Sequence, residues 1–205
     1  MKIEHILPAD IERRSMEIIE EELPPMEKDV IKRVIHTSAD FDYARTLRFS
    51  DAAVERGLAA LRQGCTIVTD TNMACTGISQ AALDKLGCRK VCFMADADVA
   101  AEAKAKGTTR AAACMDKACR LEGPVIIAVG NAPTALIRLH ELMEQGDIRP
   151  ELVIAVPVGF VNVVYAKELI MACRAPYIAA KGRKGGSNVA AAICNALLYK
   201  LTRNA

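Results

Sequence analysis

A chain of 205 residues, 52% apolar and 25% charged, is long enough to bury a substantial core and has the balance of an ordinary globular domain. Its net charge of +2 gives no case for nucleic acid or for an anionic membrane as partner. No apolar run approaches the roughly 20 residues that span a bilayer, and the N-terminus becomes charged too soon for a signal peptide.

Aromatic residues make up 4% and tryptophan is absent, so the core is expected to be aliphatic. The eight cysteines read as reduced thiols of a cytoplasmic protein, because Cys92, Cys173 and Cys194 sit inside apolar runs as small hydrophobes do. The nearest approach to a zinc pattern is Cys88-x-x-x-Cys92, which stands alone, and no metal is expected.

In chain order, Asp10 is placed to cap a helix through IERRSMEIIEEEL that Pro24-Pro25 ends. A second helix, MEKDVIKRVI, follows. Residues 1–40 thus form a helical segment ahead of a regular alternation over 41–205, within one domain spanning 1–205. In that alternation the short apolar runs Thr66–Thr69, Val91–Met94, Val125–Val129, Leu152–Val156 and Tyr177–Ala180 are predicted strands. Between them, Ser50 and Asp51 open DAAVERGLAALRQ, and Gly64, Gly87 and Gly146 stand where left-handed C-terminal residues belong. Continuously apolar strands suit burial on both faces, which predicts a three-layer α/β/α sandwich with a mostly parallel sheet of about five strands.

In such a sheet ligands bind beyond the carboxyl ends of the strands. That rule selects the segments starting at Asp70, Gly130, Pro157 and Gly182. Gly182-Arg-Lys-Gly-Gly-Ser-Asn is the richest. Its glycines allow close backbone approach, Arg183 and Lys184 are cationic, and Ser187 is placed to cap the last helix, whose N-terminus attracts anions. Neither GxxxxGK[ST] nor GxGxxG is present, so the loop suits carboxylates or phosphates of a ligand other than a dinucleotide, or else is a tight solvated turn. In Gly130-Asn-Ala-Pro-Thr, Asn131 can bond across the turn and Pro133 suits a first helical turn.

Of three histidines, His5 lies near the terminus and His140 in an amphipathic helix. His36 projects nearly opposite the stripe of Met26, Val30, Ile31, Val34 and Ile35, with Arg33 beside it. It is either a surface histidine or a proton donor near a helix C-terminus. Ser15 falls on the stripe of Ile11, Ile18 and Ile19, where a hydroxyl bonds back to the helix or faces a ligand. Arg110 follows Thr108-Thr109 and is either a solvated helix residue or a carboxylate clamp.

Five segments in order resemble the precorrin-8X methylmutases of corrinoid biosynthesis. They are Arg33-Val-Ile-His-Thr, Thr69-Asp-Thr-Asn-Met, Gly130-Asn-Ala-Pro-Thr-Ala-Leu, Pro157-Val-Gly-Phe-Val and Gly182-Arg-Lys-Gly-Gly-Ser, and the resemblance covers nearly the whole chain. It implies a flavodoxin-like sandwich, a homodimer with the active site near the interface, and migration of a methyl group from C-11 to C-12 of precorrin-8X or its cobalt form. His36 is implied as catalytic acid, with Ser15, Arg33 and Arg110 binding the substrate; on the strand-end loops Asn131, Thr134, Arg183, Gly185 and Ser187 are expected to bind it as well. Neither cofactor nor metal is implied. The chain departs from the family pattern at Tyr165-Ala166, where Glu-Ser is usual, so substrate binding or subunit packing is expected to differ there. The competing readings are a non-catalytic corrinoid carrier and an unrelated doubly wound enzyme for a phosphorylated metabolite.

Overall fold

The structure, a computed structural model, describes residues 8–23 and 28–203. His5, Pro24, Pro25 and Met26 lie outside the described residues. Two helices come first, α1 (Pro8–Glu22) and α2 (Lys28–Ser38), followed by the single turn α3 (Tyr43–Thr46), β1 (Leu47–Phe49) and α4 (Ala53–Arg62). The chain continues through β2 (Thr66–Thr69), α5 (Asn72–Gly77), α6 (Gln80–Lys85), β3 (Arg89–Val91), α7 (Ala97–Lys106) and α8 (Arg110–Ala118). It ends with β4 (Val125–Val129), α9 (Pro133–Gln145), β5 (Leu152–Ala155), α10 (Val163–Ala172), β6 (Tyr177–Ala180) and α11 (Ser187–Thr202).

Five strands run parallel in the order β6-β5-β4-β2-β3, and β1 joins the β6 edge antiparallel. The parallel strands alone give the flavodoxin order, with the switch point between β2 and β4. Alternate side chains serve opposite layers, as the two-residue period of a strand requires. Ile67, Ile126, Ile154 and Ile178 pack under α2, α4, α6 and α11. Val68, Ile127, Val153 and Ala179 pack under α7, α8, α9 and α10. None of the described helices is long and apolar enough to cross a membrane.

Several local expectations need correction. The sheet gains β1, and β3 lies at Arg89–Val91 rather than at 91–94. The helix after β1 begins later than Ser50-Asp51: Ala52, at φ 55°, occupies its cap, while the Ser50 hydroxyl accepts the Tyr177 N–H at 2.8 Å. Asp10 lies within the first turn of α1, not ahead of it. The α1 stripe is only partly buried. Ile19 is covered, but Ile11 and Ile18 remain 51% and 40% exposed, because α1 packs on α2 one layer out from the sheet. Gly64, Gly87 and Gly146 adopt the expected positive φ, at 77°, 63° and 81°.

Candidate functional site

At the switch point the ends of β2 and β4 are joined by a buried carboxylate. Asp70 accepts N–H bonds from Gly130 (2.8 Å), Asn131 (2.8 Å) and Ala132 (2.6 Å). Burial pushes its pKa up, and the three N–H groups pull against that shift by favouring the carboxylate. Beside it Thr71 caps α5 through the Ala74 N–H, and its hydroxyl meets that of Ser187 at 2.8 Å. Gly130 fits directly against the start of α11, where a Cβ would come within 2.7 Å of the Ser187 Cα. The turn after β4 and the first turn of α11 therefore form one packed unit.

The glycine loop lies alongside. Gly186 donates to the Val156 carbonyl at 2.9 Å, and Gly159 donates to the Arg183 carbonyl at 3.2 Å. Gly185 runs so close to the carbonyls of Val156 and Pro157 that no side chain fits there. Ser187 does not cap α11. It is the first helical residue, Gly186 takes the cap position, and the Ser187 hydroxyl is turned to Thr71. The N-terminus of α11 thus has no side-chain cap, an arrangement that suits an anion. The corresponding N–H groups ahead of α9 are occupied by Asp70, and Thr109 caps α8 through Ala112.

His36 lies exposed in the last turn of α2. The residues that follow it, Thr37 and Ser38, line a hollow of about 350 Å³ together with Lys184, Gly185 and Asn188. Lys184 bridges Asp40 (2.7 Å) and Asp42 (3.2 Å), tying the segment after His36 to the glycine loop and holding the Asp40 carboxyl below its usual range. Arg183 is exposed, with its guanidinium carbon 5.6 Å from the centre of the Phe160 ring. Arg110 opens α8 and is also exposed, and the hydroxyls of Thr109 and Thr134 meet at 2.9 Å. Among the described residues neither Arg110 nor Arg183 forms an ion pair. Asn131 contributes its backbone N–H, and its side chain is at the surface.

Two candidates are engaged elsewhere. Arg33 donates to Glu12 at 2.6 Å, lies 5.1 Å from the Tyr199 ring and lines a separate recess of about 200 Å³ with Met16 and Arg203. That contact lowers the Glu12 pKa. The Ser15 hydroxyl donates to the Ile11 carbonyl at 2.8 Å. Tyr165 is 57% exposed, whereas Ala166 is buried under the sheet.

Three residues absent from the candidate set organise the site: Asp70, Thr71 and Lys167. Lys167 is 0% exposed and donates to the carbonyls of Gly182 (2.9 Å) and Lys184 (2.7 Å). A sequence signal for it existed, since it falls on the buried stripe of Val163, Ala166 and Ile170. Among the described residues no group of three or more His, Cys, Asp or Glu is placed to hold a metal, and none of the cysteines is bridged.

A doubly wound sandwich whose strand ends carry exposed arginines, an open helix N-terminus and a nearby histidine is an α/β enzyme with a rim suited to an anionic small molecule. The chain belongs to the precorrin-8X methylmutase family, the isomerases of cobalamin biosynthesis that transfer a methyl group within one molecule. The family description matches residues 10–200. The cobalt-precorrin-8 methylmutase of Leptospira interrogans is 42% identical, over 94% of this chain and 93% of its own. That of Salmonella typhimurium is 46% identical, over 86% and 83%. The precorrin-8X methylmutase of Thermus thermophilus superposes with a TM-score of 0.87 at 40% identity, covering 96% of this chain and 97% of its own.

Proposed function

We propose that this chain, folding as one domain, moves the methyl group of precorrin-8X or of cobalt-precorrin-8 from C-11 to C-12, with His36 as general acid. The carrying observation is the position of His36. It stands exposed at the end of α2, and the residues after it line a hollow closed on the far side by the glycine loop. Such a shift leaves the atoms of the substrate unchanged in number. It needs the conjugated ring biased toward product, so a proton lent by His36 to a ring atom is returned when the product forms. The substrate's acetate and propionate groups suit Arg110, Arg183 and the open N-terminus of α11, with Asn131, Thr134, Gly185 and Ser187 shaping the floor. Ser15 and Arg33 reach the substrate in this reading only by exchanging their present partners, Ile11 and Glu12.

We also infer a homodimer. Phe160 and Val161 stand 82% and 77% exposed on the loop that follows β5, next to the site, where a second copy would cover them. A biosynthetic enzyme of this kind would work in the cytoplasm. The test of the activity is single-turnover absorbance with precorrin-8X and its cobalt form. Wild type is expected to develop the product spectrum, and His36→Ala to lose at least a hundredfold in rate while still binding product. Conversion by the variant at the wild-type rate would remove His36 from the chemistry. Binding without conversion by wild type would make the chain a carrier.

A further inference from the structure

Lys167 is an ammonium enclosed in the domain, and no carboxylate pairs with it among the described residues. Taking a charge out of water is expensive unless hydrogen bonds compensate, and its pKa is accordingly held down to about 8. A methionine would fill the same space on the α10 stripe without that penalty, so packing gives no reason for a lysine. Its two acceptors supply one. They are the carbonyls of Gly182 and Lys184, which flank Arg183. Between them the Arg183 carbonyl accepts from Gly159, so three consecutive carbonyls of the loop are held. The side chain of Lys184 then leaves that fixed backbone for Asp40 and Asp42, beyond His36.

We propose that Lys167 is a positioning residue for the substrate site: it fixes the 182–184 backbone so that Arg183 faces the substrate's carboxylates and Lys184 ties the His36 segment to the same loop. The proposal rests on the functional reading above for what Arg183 binds, but not for the state of the loop. Lys167 itself touches no substrate; it acts through the residues whose carbonyls it holds.

The experiment compares wild type, Lys167→Met and Lys167→Gln by two readouts. The first is trypsin digestion under native conditions, with cleavage after Arg183 and Lys184 followed by mass spectrometry. In Lys167→Met these cuts are expected at least tenfold faster, with the rest of the digest and the circular dichroism unchanged. The second is absorbance titration with hydrogenobyrinate, the product that the methyl shift of precorrin-8X gives. Lys167→Met is expected to weaken binding about tenfold, Arg183→Ala by a similar factor, and the two together by no more than threefold beyond Arg183→Ala alone. Unchanged cleavage of the loop would overturn the proposal, as would losses that multiply independently. If Lys167→Met does not fold, Lys167→Gln, whose shorter and neutral side chain is expected to release at least one of the two carbonyls, carries both readouts with effects of the same sign. Collapse of both variants would make Lys167 a support of the whole domain and equally overturn the local role. Trypsin needs no corrinoid, so a wild type that fails to bind hydrogenobyrinate would defeat the functional reading while the digest still judged the loop.

Discussion

Two lysines meet at the glycine loop and do opposite electrostatic work. Lys184 lies between the carboxylates of Asp40 and Asp42 in solvent, and its charge is favoured there. Lys167 is buried against two carbonyls, and its charge is disfavoured. The sign of the pH effect follows. Below about pH 8 both the folded and the unfolded chain carry the proton on Lys167, and the burial penalty is present in full. Between about 8 and the ordinary lysine value near 10.4 only the unfolded chain holds it, so stability due to Lys167 rises with pH. The buried thiols of Cys114 and Cys194, pushed up to about 12, act in the reverse sense, since only the unfolded thiols ionise as pH passes about 8.5. Urea unfolding of wild type against Lys167→Met cancels the thiols. Wild type is expected to gain about 2 kcal/mol on the variant between pH 7.5 and 10.5, less than full desolvation would give because the loop lies at the surface. A difference independent of pH would mean that the ammonium is solvated. Residue by residue, the exposed cations Arg110 and Arg183 and the exposed His36 were legible, because an unpaired polar group off the apolar stripe announces itself. Asp70 and Thr71 were legible only as members of a strand-end segment, and Lys167 only as a polar residue on a buried stripe. What they hold was not legible: the turn about sixty residues on, the Ser187 hydroxyl and two loop carbonyls.

Among the elements, α9 shows how a strand end positions a helix. Its start is held by Pro133 in the first turn and by Asp70, the residue after β2, roughly sixty residues earlier in the chain. Asp70→Asn keeps the shape but turns an amide NH2 toward N–H donors, leaving at least one buried donor unpaired. The expected loss is about 2–3 kcal/mol in urea unfolding, with faster amide hydrogen exchange at Gly130, Asn131 and Ala132. An unchanged midpoint together with unchanged exchange would show that Asp70 is not what holds the turn. The central strands were readable as apolar runs because they are buried on both faces. The edges were not. Leu47-Arg-Phe offers three residues with Arg48 in solvent, and it becomes β1 only by pairing with β6. At the other edge Arg89 and Lys90 are polar yet belong to β3, since an edge strand need not be apolar.

At the scale of the whole molecule, the flavodoxin order gathers every strand-end segment on one rim, and that rim is where the chain is most apolar outside its core. Met73, Val158, Phe160, Val161 and Tyr165 are the exposed large hydrophobic residues on segments that follow β2 and β5, at 71%, 47%, 82%, 77% and 57%. Elsewhere Ile11 and Ile18 on α1 and Phe41 before α3 are the further exposed large hydrophobic residues among those described. This grouping was not legible beforehand, because the residues sit in one loop and two helices and form no periodic stripe. Burying such side chains against a second copy releases about 25 cal/mol for each Å² of apolar surface, enough for Phe160 and Val161 to anchor a subunit interface beside the site. Sedimentation velocity at micromolar concentration is expected to give twice the 22.1 kDa chain mass for wild type, and the single mass for Phe160→Asp combined with Val161→Asp. Because the same loop accepts the Arg183 ring contact, the monomeric variant is also expected to bind hydrogenobyrinate at least tenfold more weakly. A wild type that sediments as a monomer would end the dimer reading. A double variant that stays dimeric would move the interface to another face, with the exposed isoleucines of α1 the next surface to test.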